Sequence, residues 1–199
     1  MNKSLNFPAQ FQIMENVEFV LRDKFGNVKK LFQENKIYTK LMKMGVLSPF
    51  AYQKLGIFDF LLGKWSESKL VANLMTNAGF AGMASRCNGA GSEAAFTYIG
   101  IGTGTTAANV ADTTLETEIT TGGGARANST ASRVTTTVTN DTAQLVNTFT
   151  FTAGFAVTES GVLNAASSGV LLCRQVFSAI NVVSGDTLQI TWKIKNAAS

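Results

Sequence analysis

The sequence predicts a mainly β protein: an antiparallel β-sandwich, Ig-like or jelly-roll-like, with a short helix and an inserted, partly helical N-terminal arm. Two observations predict the sandwich. Short segments rich in β-branched and aromatic residues recur between Gly, Ser and Asn turns. One of them, residues 144–152, alternates apolar and polar side chains as a half-exposed strand does. About seven or eight such strands fall at the spacing typical of sandwiches.

The composition divides the chain into unlike regions. Thr occurs once before residue 76 and 22 times from Thr76 onward, whereas ten of the twelve lysines lie before that point. Residues 1–75 carry 11 Lys and Arg against 6 Asp and Glu, and residues 76–199 carry 6 against 7, so +5 and −1 give the net charge of +4. We therefore expect an N-terminal segment (1–36), a basic and aromatic arm (37–75) and a β-sandwich domain (76–199).

The N-terminal segment predicts a hairpin that joins the sandwich. Residues 17–23 alternate, residues 24–27 supply turn residues, and residues 28–35 resume an extended pattern. No secretion signal is predicted in residues 1–8, because they lack a continuous apolar run. The most apolar stretch, residues 55–62, is far shorter than the ~20 residues that a bilayer-crossing helix needs.

The arm combines clustered apolar residues with lysines, and Gly and Pro divide it into pieces too short for a long helix. Two interpretations remain open. The arm inserts between neighbouring subunits and its lysines reach acidic partners or nucleic acid, or it covers its own sandwich and its lysines are solvated charges. We expect no contact with a membrane. The candidate subunit-contact residues are Phe58, Phe60, Leu61 and Trp65, with Lys54 and Lys64 at the margin.

Beyond the arm, residues 76–89 predict a helix of about three turns that Thr76 or Asn77 begins and Gly89 follows. Residues 112–116 predict a short capped turn, since Thr113 and Glu116 have capping-box spacing. Strands are predicted in five further segments, residues 132–139, 144–152, 156–165, 169–177 and 184–194.

Two glycine motifs invite a nucleotide-binding interpretation, and both fail it. In the run from Gly100 to Gly104 one residue separates the second and third glycines, whereas a dinucleotide fingerprint has two, and no acidic residue follows about 20 positions on. Gly63-Lys64 is no phosphate loop, because Phe58 stands where the first glycine is required. We expect the glycines at 100–104 to admit close approach of another backbone, and we expect no cofactor.

The sequence offers little catalytic chemistry. It contains no His, which excludes Ser-His-Asp and Cys-His catalysis and removes the commonest transition-metal ligand. The carboxylates of the second region fall mostly at turn or cap positions, where such residues have structural roles. We therefore expect no enzyme activity and no metal site. The two cysteines, Cys87 and Cys173, are interpreted as buried thiols without a disulfide.

Five motifs in order resemble a widespread group of tailed-bacteriophage virion structural proteins. They are YIGIGTGTT (residues 98–106), DTTLETE (112–118), VTESGVLNA (157–165), LLCR (171–174) and GDTLQITW (185–192). The resemblance covers roughly residues 75–195. In that group the opening hairpin normally passes directly into the segment at residues 76–79, so residues 37–72 look like an insertion. The group supplies no catalytic residues to carry over.

The resemblance implies a non-enzymatic β-sandwich subunit of a virion, present in many copies and assembled in the host cytoplasm. The favoured role is a capsid decoration or cement protein that binds the head exterior and stabilises capsomers. Its partners would be the major capsid protein or other virion subunits, with a homo-oligomer, such as a trimer, on the particle and no direct nucleic-acid contact. The alternatives are a tail, baseplate or fibre-attachment adaptor, and a host carbohydrate-binding module.

Overall fold

A computed structural model describes residues 11–55 and 59–198. Strands predominate over helices in these ranges. Every strand pair among the described residues is antiparallel. These observations confirm the expected mainly β, sandwich-like fold with a few short helices.

The strands are β1 (Phe11–Arg22), β2 (Val28–Lys29), β3 (Leu31–Glu34), β4 (Gly63–Ser66), β5 (Lys69–Ala72), β6 (Leu74–Met75), β7 (Tyr98–Gly102), β8 (Ala127–Asn128), β9 (Thr130–Val134), β10 (Thr142–Thr150), β11 (Phe155–Leu163), β12 (Leu171–Val182) and β13 (Thr187–Ala198). The helices are α1 (Lys36–Lys43), α2 (Tyr52–Leu55), α3 (Asp59–Leu62) and α4 (Asn77–Asn88).

Two sheets form the sandwich. The first has the order β2-β1-β13-β10-β9, with β5 also pairing β1, and the second has the order β6-β12-β11-β7-β8. Side chains of both sheets meet in one core, where the rings of Phe19 and Phe177 lie 4.4 Å apart. Trp192 is fully buried and donates its indole N–H to Ser160 Oγ over 3.2 Å. This bond joins β13 to β11 across the core.

Strands β11 and β12 are buried along nearly their whole length. A sandwich strand with one wet face would alternate, as β10 does with buried Leu145 and Phe149 and exposed Thr148 and Thr150. The alternation is lost because the outer face of the second sheet is covered by the arm and by the loop that follows β7. The charged residues on these strands are therefore buried as well.

Several expected elements are confirmed. Helix α4 begins after Thr76, whose hydroxyl accepts the Gly79 N–H over 2.9 Å, and ends at Gly89, which has a φ of 69°. The predicted capped turn at residues 112–116 is wrong, because the Glu116 N–H donates to Glu159 Oε2 over 3.0 Å and not to the Thr113 hydroxyl. Glu116 instead accepts hydrogen bonds from the backbone and hydroxyl of Thr106.

The N-terminal hairpin is confirmed only near its turn, where β1 pairs the two residues of β2. Strand β3 leaves the sheet and pairs β4 in a separate two-stranded sheet. The expected arm boundary at residue 75 also differs from the structure, because β5 and β6 already belong to the two main sheets and Val71 and Met75 lie in the core. The segment that packs apart from the sandwich core is therefore shorter, residues 32–55 and 59–66.

This shorter arm covers its own sandwich. Its buried aromatic rings stack beside β12, with Phe32 and Tyr52 nearly parallel at 4.9 Å. The Tyr52 hydroxyl donates to the carbonyl of Ala179 over 2.6 Å, and the Ala179 N–H donates to the carbonyl of Pro49 over 3.0 Å. The arm is thus bonded to the second sheet, which favours the covering interpretation for residues 35–55.

The two cysteines differ in exposure. Neither of these described residues forms a disulfide; Cys173 is buried and Cys87 is exposed. The expectation of two buried thiols is therefore wrong for Cys87, which lies near the exposed end of α4.

Candidate functional site

Trp65 is the most prominent of the expected contact residues. Its side chain is 53% exposed, although it lies edge-on against two buried rings, Phe32 at 5.9 Å and Tyr52 at 6.0 Å. Those contacts fix the orientation of the indole, because both supporting rings belong to the arm's own core. Trp65 therefore presents a rigid aromatic surface, which is the kind of residue that dominates protein interfaces.

The other expected contact residues are only partly brought together with Trp65. Leu61 is 52% exposed on α3, and Lys54 and Lys64 are exposed. Lys64 precedes Trp65 on β4, so the two side chains point to opposite faces of that strand. Phe58 and the side chain of Phe60 lie outside the described residues. Trp65 and Leu61 are thus exposed apolar side chains, and Lys64 points away from Trp65.

A groove of about 650 Å³ lies beside Trp65, between the arm and β12. Its floor includes Phe32 and Tyr52, and its rim includes Lys30 and Gln53, which are exposed. The groove is lined by apolar residues and also by polar ones, among them Lys29 and Asn181. It extends the exposed surface of Trp65 toward the second sheet.

A second cluster is buried around Glu159 of β11. This carboxylate is fully buried and accepts hydrogen bonds from the backbone N–H groups of Gly104 (3.1 Å), Glu116 (3.0 Å) and Thr117 (2.7 Å). Arg174 Nε also donates to it over 2.8 Å. Glu159 therefore fastens both ends of the loop after β7 onto the second sheet.

Arg174 of β12 extends this cluster toward the surface. Its guanidinium donates to Asp112 Oδ2 at 2.8 Å, to the Thr106 carbonyl at 3.2 Å and to Glu116 Oε2 at 3.4 Å. Burial alone would lower the pKa of Arg174, but hydrogen bonds and charges from Glu159 and Asp112 raise it overall. Hydrogen bonds from Thr106 lower the pKa of Glu116. The cluster is thus a charged, fully bonded structural network.

The glycines at 100–104 allow this network to form. A Cβ at Gly102 or Gly104 would overlap the Glu159 carboxylate, and one at Gly100 would approach Leu115 Cδ1 to 2.9 Å. None of these glycines has a positive φ, so close approach explains them and backbone conformation does not. The expectation that this run admits close approach of another segment agrees with the structure.

A third cluster joins the arm to the sandwich. The fully buried Lys69 of β5 pairs with Glu34 of β3 at 2.5 Å, donates to the carbonyls of Phe32 and Ser178 at 3.0 Å each, and bonds the Ser178 hydroxyl. Ser178 in turn donates its N–H and hydroxyl to Glu34 at 3.2 and 2.9 Å. Burial lowers the pKa of Lys69, and the Glu34 carboxylate opposes that effect.

Sequence reasoning missed both buried clusters. It placed the carboxylates of residues 76–199, Glu159 among them, mostly at turn or cap positions. It expected the arm lysines either to reach partners or to be solvated, and neither alternative predicts a buried lysine. The available signal was a charged residue inside an apolar strand, as with Glu159 in VTESGVL and Arg174 in LLCRQVF. Lys69 gave a weaker signal, because the lysines nearby in sequence are exposed.

Within residues 11–55 and 59–198, no group of three or more acidic, Cys or His side chains could hold a metal ion. No helix in the same ranges is long and apolar enough to span a bilayer. Comparisons with protein-family models, with curated proteins and with solved structures gave no match.

Proposed function

We propose that the chain is a non-enzymatic structural subunit of a tailed-bacteriophage particle, and that it decorates the head exterior and stabilises the capsid. The phage assignment rests on the five ordered motifs. One observation carries the structural role: the motif residues Gly102, Glu116, Glu159 and Arg174 meet in a single network around the buried Glu159 carboxylate. The shared pattern therefore specifies a scaffold that holds a loop on a sheet.

The residues available for catalysis support a non-enzymatic role in this proposal. His is missing from the sequence. The carboxylates that gather around Arg174 are engaged with its guanidinium, and Glu159 is sealed from solvent by backbone donors. A general base needs a free acceptor within reach of a substrate, which Glu159 does not offer.

The contact surface in this proposal is the exposed edge of the arm. Trp65 and Leu61 are half exposed, and Trp65 is held in place by buried rings, so little conformational freedom is lost when a neighbour covers it. Charged residues make up 15% of the chain, below the ~25% usual for soluble domains. A charge-poor surface suits a subunit whose neighbours cover part of it. The partner is the major capsid protein or another virion subunit, and the chain forms a homo-oligomer there.

Immunogold electron microscopy of particles that carry an epitope-tagged chain tests this proposal. Gold distributed over the head contour is the expected result. Gold confined to the tail or baseplate would support the adaptor role instead. Purified particles without label, from cells that express the tagged chain, would overturn the virion assignment.

A further inference from the structure

Helix α1 carries a basic face that its surroundings do not neutralise. Lys36, Lys40 and Lys43 are spaced i, i+4 and i+7, so they lie along one side of the helix. All three are exposed. None of them takes part in the ion pairs found in the described ranges of the chain.

The three lysines border one groove. It has a volume of about 440 Å³ and lies between α1 and β5, where Leu70 and Ala72 form an apolar wall. Leu70 is 54% exposed. The carboxylate in this lining, Glu34, is buried and already paired with Lys69. The groove therefore has a positive rim, an apolar wall and no available negative charge of its own.

The three lysines do not stabilise helix α1 as a group. Like charges at i and i+4 repel, and Lys36 lies in the first turn, where the helix dipole disfavours a cation. That first turn contains no acidic residue. Lys40 and Lys43 lie in the last turn, where the helix dipole favours a positive charge. The dipole therefore explains these two lysines but does not explain Lys36. The fold gains nothing evident from three positive charges at this groove.

We propose that the groove between α1 and β5 binds an acidic segment of a partner protein. Carboxylates of such a segment would pair with the three lysines, while its aliphatic side chains would contact Leu70. A protein partner is favoured over single-stranded nucleic acid because no aromatic ring lines the groove, and stacking on aromatic rings supplies much of single-strand binding. The inference goes beyond the proposed function, because it holds for any assembly in which this chain takes part.

Binding of fluorescent poly-L-glutamate to the full chain, measured by anisotropy at low and high salt, tests the inference. The variant Lys36→Glu, Lys40→Glu, Lys43→Glu is compared with Lys24→Glu, Arg133→Glu, Lys193→Glu, whose altered residues are exposed and distant in sequence. Both variants remove three cations and add three anions, so each changes the net charge from +4 to −2. The pair therefore separates the groove from the overall charge.

We expect the groove variant to bind at least about tenfold more weakly than the control variant, and wild-type binding to weaken with salt. Equal losses in the two variants would overturn the inference. So would preferential binding of an oligothymidylate of equal charge that depends on the same lysines. If the groove variant does not fold, the neutral Lys36→Gln, Lys40→Gln, Lys43→Gln variant replaces it, with Lys24→Gln, Arg133→Gln, Lys193→Gln as its control and the same ordering expected.

Discussion

Glu159 and Arg174 lie on neighbouring strands and bind each other out of contact with solvent, Arg174 Nε donating to Glu159 Oε2 over 2.8 Å. The register places Arg174 opposite Gly161, so the two charged side chains meet diagonally across β11 and β12. The same carboxylate accepts three backbone N–H groups of the loop after β7. One buried ion pair therefore connects two strands and a loop.

Replacing Glu159 with Gln should strongly destabilise the protein. Gln keeps the size of the side chain, but it removes the only fully buried carboxylate among the three that pair with Arg174. Its amide can also donate a hydrogen bond where the N–H groups of the loop need an acceptor. Breaking a buried pair in this way lowers the free energy of unfolding by about 3 kcal/mol or more. Urea denaturation of the wild type and the variant measures the change.

The control for this variant is Glu67→Gln, which alters an exposed carboxylate. It should change stability by less than about 0.5 kcal/mol. Hydrogen exchange adds a local measurement, since the amides of Gly104 and Thr117 should lose protection in Glu159→Gln. Equal urea midpoints for the two variants would contradict the structural role of the network.

The pair Lys69 and Glu34 should show the asymmetry of a buried ion pair. Lys69→Met leaves a buried carboxylate without a cation, and we expect a loss of about 3–5 kcal/mol in the free energy of unfolding. The double variant Lys69→Met, Glu34→Gln removes both charges and keeps an acceptor for Ser178. It should recover at least about half of that loss. A double variant no more stable than Lys69→Met would show that the unpaired charge of Glu34 does not cause the destabilisation of Lys69→Met.

Acid should weaken the turn that follows β9 through Asp141. The pKa of Asp141 is lowered, first by the hydrogen bond from the Val138 N–H and also by those from Thr136 and Thr137. A depressed native pKa means that the unfolded state binds the proton more readily. This contribution is therefore fully present above the ordinary Asp value of 3.8 and is lost as the pH falls below it.

Urea denaturation of the wild type and Asp141→Asn, at neutral pH and between about pH 4 and pH 2, measures this effect. Asp141→Asn should be less stable than the wild type at neutral pH and lose less stability on acidification. Some acid dependence should remain, because the pKa of Glu116 is lowered as well. Parallel pH profiles for the wild type and the variant would show that Asp141 does not contribute.

Strand alternation and turn residues were sufficient to predict the sandwich and helix α4, because those signals are local. Strands such as β10 have one face exposed to solvent, and the alternation of apolar and polar residues in their sequence indicates it. The strand pairing of residues 31–35 was not predictable from such local signals. Strand β3 pairs β4, about 30 residues later, and only the tertiary fold determines that choice.

The buried charges show a second limit. Glu159 lies in an apolar strand, yet its partners come from segments between 42 and 55 residues away in sequence, and from Arg174. A single sequence does not reveal which loop returns to which strand. The Gly100–Gly104 run gave a partial signal, since its small residues predicted the close approach that Glu159 makes.

The exposed arm residues should govern attachment to the particle. Leu61→Ser and Trp65→Ala should each reduce occupancy on particles, because both remove half-exposed apolar groups from the contact surface. Leu61→Ser should leave the melting temperature unchanged. Trp65→Ala should lower it, since the variant loses edge contacts with Phe32 and Tyr52 worth about 0.5–1.5 kcal/mol each.

The matched control is Val138→Ser, another exposed apolar residue, in the loop after β9. Occupancy is measured by sedimenting particles with excess purified variant, below the melting temperature of each variant. Undiminished occupancy of both arm variants would mean that the arm only covers its own sandwich.

The copy number per particle tests the central claim most directly. Quantitative mass spectrometry of purified virions, with isotope-labelled peptides of this chain and of the major capsid protein as standards, gives that number. A decoration protein on the head should be present in a fixed ratio to the capsid subunit, which means on the order of hundreds of copies, because symmetric shells repeat each site. A dozen copies or fewer would contradict the decoration role and favour a tail or baseplate adaptor, and no copies would contradict the virion assignment itself.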